Sequence, residues 1–119
     1  MSQTPRSGIL ADVLRLSGGF AEAERQWVVA ALSGLEIHLS RWQPGEMILD
    51  VSVKHRDSKE QQVTLRAELA GYQPLVAKAA DRDLNRAVAE AKRELIQQIE
   101  DGKKRRDPKS NRLLRKKRT

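Results

Sequence analysis

Between Met47 and Leu69 the chain alternates twice with a period of two. Met47, Leu49, Val51, Val53 and His55 interleave with Ile48, Asp50, Ser52, Lys54 and Arg56; Val63, Leu65, Ala67 and Leu69 then interleave with Thr64, Arg66 and Glu68. That period belongs to strands with one buried face. The turn Asp57-Ser58-Lys59-Glu60 between them is too short for a crossover, so the two strands pair antiparallel. Gly71-Tyr72-Gln73-Pro74 turns the chain again, and Leu75 to Ala80 predicts a shorter strand beside them. A sheet with one apolar face must be covered.

The last third supplies a cover. Leu84, Val88, Ala91, Leu95 and Ile99 recur at spacings of four, three, four and four, one apolar stripe on a 3.6-residue period. Asp81 and Asp83 stand at the start of this helix, where a carboxylate accepts orphan N–H groups and complements the helix dipole. Gly102 predicts its end, with a helical continuation through Arg106 as the alternative.

The first third is less regular. Ile9 to Leu16 reads as a strand whose alternation Asp12 and Arg15 interrupt, and Ser17-Gly18-Gly19 reads as a turn. Ala21 to Leu39 carries a helical pattern through Ala23, Trp27, Ala30, Ala31, Gly34 or Leu35, and His38 or Leu39. Gly34 weakens that helix by about 1 kcal/mol relative to alanine. Gln43-Pro44-Gly45 breaks the chain before the alternating strands. The order β-α-β-β-β-α predicts an α+β two-layer sandwich, with two helices packed on one face of a four-stranded mixed sheet. Its other face, with Asp50, Ser52, Lys54, Thr64, Arg66 and Glu68, is expected in water.

Charge divides the 119 residues unevenly. Residues 103–119 carry ten bases, namely Lys103, Lys104, Arg105, Arg106, Lys109, Arg112, Arg115, Lys116, Lys117 and Arg118, against the single acid Asp107, a local +9. The formal total is +7, so residues 1–102, with thirteen bases and fifteen acids, sum to −2. Three segments follow: a flexible lead-in over 1–8, one folded domain over 9–102, and a basic tail over 103–119 that is expected to be disordered because its charges repel and cannot pack. The natural partner of such a tail is a polyanion, with affinity that falls as salt rises. Arg82, Arg86, Lys92 and Arg93 extend the candidate RNA-binding set onto the helix. Asp83, Glu90 and Glu94 are interspersed among them, and a solvated helix face explains those four bases equally well.

Catalytic chemistry finds little purchase. There is no cysteine, which excludes disulfides and thiolate chemistry and is compatible with a reducing, cytoplasmic setting. His38 and His55 belong to no metal-ligand or nucleophile pattern; the first reads as structural and the second as a solvated strand end. Ser17-Gly18-Gly19 lacks the length and the following lysine of a phosphate cradle. The sequence therefore predicts no enzyme, no cofactor, no metal, no small-molecule substrate and no membrane partner.

From Glu22 to Ile99 the chain resembles the ribosome hibernation-promoting factor family, which includes the ribosome-associated inhibitor A proteins. The resemblance lies in Glu22-Ala23-Glu24-Arg25-Gln26-Trp27-Val28, in Leu35-Glu36, in the meander Leu49 to Ala79, and in Ala79-Ala80-Asp81-Arg82-Asp83-Leu84-Asn85-Arg86-Ala87-Val88. Asn85, Ala31, Gly34, Glu94 and Gln97 depart from the family's pattern and leave the body less basic than is usual there. The resemblance implies a β-α-β-β-β-α domain, monomeric when free, that binds the small ribosomal subunit and its 16S-type rRNA, or the intact ribosome. It implies steric blockage of the mRNA/tRNA channel and preservation of idle ribosomes. A general RNA-binding or RNA-chaperone module acting through the tail is the competing expectation; a protein-interaction adaptor, with the tail incidental, is a third. Double-stranded RNA-binding domains share the order of elements, but they open their last helix with lysines, where this chain has Asp81-Arg82-Asp83.

Overall fold

The computed structural model describes residues 10–106. Four strands form one sheet in the order β1-β2-β3-β4: β1 Leu14–Leu16, β2 Met47–Lys54, β3 Gln61–Leu69 and β4 Leu75–Asp81. β1 runs parallel to β2, with Leu14 opposite Leu49. β2–β3 and β3–β4 are antiparallel, with Val51 opposite Leu65 and Leu65 opposite Ala77. The expected mixed sheet is present, because the alternation that sets register also sets which face is buried.

The first strand is shorter than Ile9–Leu16. Residues 10–13 are helical, and pairing begins at Leu14. The side chains of Leu10, Val13 and Leu14 are all buried, and their spacing of three and four is that of a helical turn. Past β1, Ser17 N–H donates to the Val51 carbonyl at 2.8 Å and Val53 N–H to the Gly18 carbonyl at 2.9 Å, so the turn clasps β2. Gly19 closes it at φ +93°, where a Cβ would stand 2.1 Å from the Val53 carbonyl oxygen. Only glycine fits there.

The first helical layer is broken rather than continuous. A 3₁₀ turn over Glu22–Glu24 leads into α1, Arg25–Ala31, and a turn over 32–34 separates it from α2, Leu35–His38. Val28, Leu32, Leu35 and Leu39 form its buried stripe, whereas Ala23 and Ala30 are exposed and Trp27 and Ala31 half-buried. The larger aliphatic side chains win the core: Leu35 and Leu39, which the pattern offers beside Gly34 and His38, are buried, and Val28 and Leu32 join them where Trp27, Ala30 and Ala31 were expected.

The second layer is one helix, α3, Leu84–Arg106. Asp83 caps it: its Oδ1 accepts from Asn85 N–H at 2.9 Å and its carbonyl from Ala87 N–H at 3.0 Å, while Asp81 Oδ1 accepts from Asp83 N–H at 2.8 Å. Ala87, Val88, Ala91, Leu95 and Ile99 are fully buried in one core with the α1–α2 stripe and the inward residues of all four strands. Gly102 does not end this helix, which runs on through Arg106. The glycine is instead buried against Tyr72, whose Cε2 would lie 2.8 Å from an added Cβ. It is a packing glycine, and α3 passes the expected stop.

Candidate nucleic-acid interface

Each residue of an α-helix turns about 100°, so the stripe that buries Leu95 leaves an outward crest on α3. Arg86, Arg93 and Lys104 lie seven and eleven residues apart, which places all three on that crest over about 27 Å. All three are exposed, and none forms an ion pair among the described residues. Glu90 and Gln97 interrupt the line, so the crest is basic but not continuous.

The two flanks of α3 carry different side chains. Toward α1 and α2 stand Lys92 and Lys103. The Lys92 side chain lies along Gly34, where an added Cβ would come 3.4 Å from Nζ. Lys103 Nζ is 3.0 Å from Glu100 Oε2 and 6.0 Å from the Trp42 ring centroid, and the Arg41 guanidinium is also 6.0 Å from that centroid. Trp42 is buried, donates Nε1–H to the Ala70 carbonyl at 3.0 Å, and meets Tyr72 edge-on at 5.1 Å. Toward the β4 edge stand Glu90 and Glu94, beside Lys78 and Ala79.

Arg82 is exposed at the β4–α3 corner, where its carbonyl accepts from Gln61 Nε2 at 2.7 Å. Lys104 and Arg105 are exposed on the last turns, and Arg106 closes the helix. Lys109, Arg112, Arg115, Lys116, Lys117 and Arg118 lie outside the described residues. The structure therefore aligns Arg86, Arg93 and Lys104, sets Lys92 and Lys103 on a separate flank, and leaves Arg82 apart from both. Arg41 belongs with Lys103 on Trp42 and is absent from the sequence-derived set; the adjacent Arg41-Trp42 pair was its only signal.

The histidines behave differently from one another. His38 Nδ1 is 2.7 Å from Glu100 Oε2 and ties α2 to α3. That contact, then Lys103, holds the Glu100 carboxyl below its ordinary range. His55 is exposed just past β2 at φ +60°, a left-handed conformation that histidine tolerates better than most residues. Among the described residues no group of three or more His, Cys, Asp or Glu could hold a metal ion, and no helix is long and apolar enough to cross a membrane.

No protein-family model matches the chain, and no curated protein matches it by sequence. Solved structures do. The chain is similar to the N-terminal domain of Thermus thermophilus Protein Y at 25% identity and a TM-score of 0.54, over 71% of this chain and 90% of that one. It is also similar in fold to a ribosomal subunit interface protein from Coxiella burnetii, at 17% identity and a TM-score of 0.51, over 76% of this chain and 96% of that one. The chain has the fold of these two structures, which is the α+β fold that the hibernation-factor resemblance implied. The sequence resemblance is thus accompanied by a likeness of fold.

Proposed function

We propose that this protein is a cytoplasmic, ribosome-associated translation inhibitor that binds the small subunit through rRNA and blocks the mRNA/tRNA channel by occupancy. The observation that carries this reading is its match over nearly the whole Protein Y N-terminal domain. The crest of Arg86, Arg93 and Lys104, continued by the bases of 103–119, supplies charge for phosphate backbones without requiring base recognition. A steric blocker needs a rigid body, a grip on RNA and no reacting group, and these residues meet that description. The protein acts as a monomer and performs no chemistry.

Gradient sedimentation of the tagged full chain with ribosomes tests this. Co-migration with the small subunit or the intact ribosome is expected at low salt, together with inhibition of translation in a purified system. Replacing the bases of 103–119 by glutamine should release most of the protein. Protein that stays at the top of a low-salt gradient would refute the proposal. If the isolated tail peptide bound arbitrary RNA as well as the full chain, the general RNA-binding module would replace it.

A further inference from the structure

The face of the sheet turned away from the helices is itself divided. Register places Ser52, Thr64 and Lys78 in one cross-strand row and Lys54, Gln62 and Ala80 in the next. These two rows contain two lysines, two hydroxyls and an amide, and no carboxylate of their own, while at the β4 edge Lys78 also borders Glu90 and Glu94 of α3. The remaining rows hold Arg15, Asp50, Arg66 and Val76, then Ile48 and Glu68, with acids balancing bases. There the acids are engaged: Arg66 Nη2 lies 3.1 Å from Glu68, and Ser17 Oγ donates to Asp50 at 2.6 Å. Lys54 and Lys78 are exposed and form no ion pair among the described residues.

From these observations we infer that the Ser52–Lys54–Gln62–Thr64–Lys78 half of the open sheet face is a second RNA-backbone contact, opposite the α3 crest. Strand spacing puts the Lys54 and Lys78 backbones about 12 Å apart, far enough for each ammonium to take its own phosphate. Gln62 and Thr64 on β3 lie between them, and Ser52 stands beside Lys54 on β2, as neutral donors of the kind that phosphates and ribose hydroxyls accept from. No aromatic ring occupies these rows, so bases have nothing to stack on and contact is with the sugar-phosphate backbone. A body with cations on both broad faces sits between two RNA segments instead of lying on one. The inference rests on the proposed RNA partner and adds a face to it.

The chain has no cysteine, so a single introduced thiol is unique. Gln62→Cys on the sheet and Gln97→Cys on the crest, each carrying a short photo-crosslinker, are compared on small subunits with the full chain. Cross-links from Gln62→Cys to rRNA segments other than those reached from Gln97→Cys are expected. In parallel, Lys54→Gln/Lys78→Gln should lower the slope of log affinity against log salt by about 1.4 to 1.8, two phosphate contacts' worth, for purified small-subunit rRNA. Thermal melting checks that both substitutions leave the fold intact. An unchanged slope, or a Gln62→Cys variant that cross-links only to protein or to nothing, overturns the second face. If instead wild-type protein fails to bind small subunits at all, the proposed function falls before this inference is reached.

Discussion

The two helical layers cover the same sheet by different means. α3 is a single helix of 23 residues whose core contacts are aliphatic and whose start is fixed by Asp83. The α1–α2 layer is shorter, interrupted at 32–34, and tied down by charged clamps. Arg56 from the β2–β3 turn binds Glu24 at 3.0 Å and the Gly19 carbonyl at 2.6 Å, while stacking over Phe20 at 5.6 Å. Arg25 pairs with Glu22 and donates to the Leu14 carbonyl at 2.9 Å, and His38 meets Glu100. Where a continuous stripe is long enough, burial suffices; where it is broken, polar contacts position what burial alone leaves loose.

The contrast is broken most directly by removing bulk from α3. Leu95 is fully buried, and Leu95→Ala should cost about 2 to 5 kcal/mol in equilibrium denaturation. Its loss should be the same at neutral and acid pH, because no charge is involved. Next in size is Gly102→Ala, which drives a Cβ to 2.8 Å from the Tyr72 ring. Tyr72 packs on Trp42 and cannot swing freely, so about 1 to 3 kcal/mol should be lost despite alanine's better helix propensity. A stabilised Gly102→Ala protein would show that Tyr72 yields and that the glycine is there for another reason.

The same contrast explains what the sequence made legible. β2, β3, β4 and α3 are each governed by one dominant period, and pairing, facing and capping followed from it, down to Asp83. The α1–α2 layer has two apolar lines competing on its surface. Ala23, Trp27, Ala30 and Ala31 make one of them, and Val28, Leu32, Leu35 and Leu39 make the other and are buried. Choosing between them needs the volume of the cavity they fill. Gly102 misled because a glycine after a helical stripe has two uses, as a terminator and as a close-packing residue, and only the position of Tyr72 separates them. For the candidate interface, the crest could be drawn from spacing alone. The sheet-face lysines could not, since their significance depends on having Gln62 and Thr64, not carboxylates, as cross-strand neighbours.

Acid should loosen the clamped layer before the aliphatic one. Arg56, followed by the Ala21 N–H, holds the Glu24 carboxyl below its ordinary range, and His38 with Lys103 does the same for Glu100. A carboxyl whose folded value is depressed contributes stability above its unfolded value, near 4.5, and loses it as pH falls through the folded value. Denaturation midpoints should therefore fall as pH drops below 4.5 and through the depressed folded values, and Glu24→Gln/Glu100→Gln should flatten that fall while Leu95→Ala leaves it unchanged. Equal flattening by Leu95→Ala would mean that the layers do not differ in this way.

The smallest effect expected is a gain. Gly34 sits at φ −64°, ψ −15°, a helical conformation that alanine adopts without strain. An added Cβ would meet only the mobile end of Lys92, 3.4 Å away, which can move aside. Gly34→Ala should therefore raise stability by about 0.4 to 1 kcal/mol, chiefly by restricting the unfolded chain. Measured beside Gly102→Ala, it gives the same substitution with opposite sign in the two layers. That reversal is expected only if the break at 32–34 is held open by nothing more than weak local helix propensity, and if the α3 glycine is fixed by the ring beneath it.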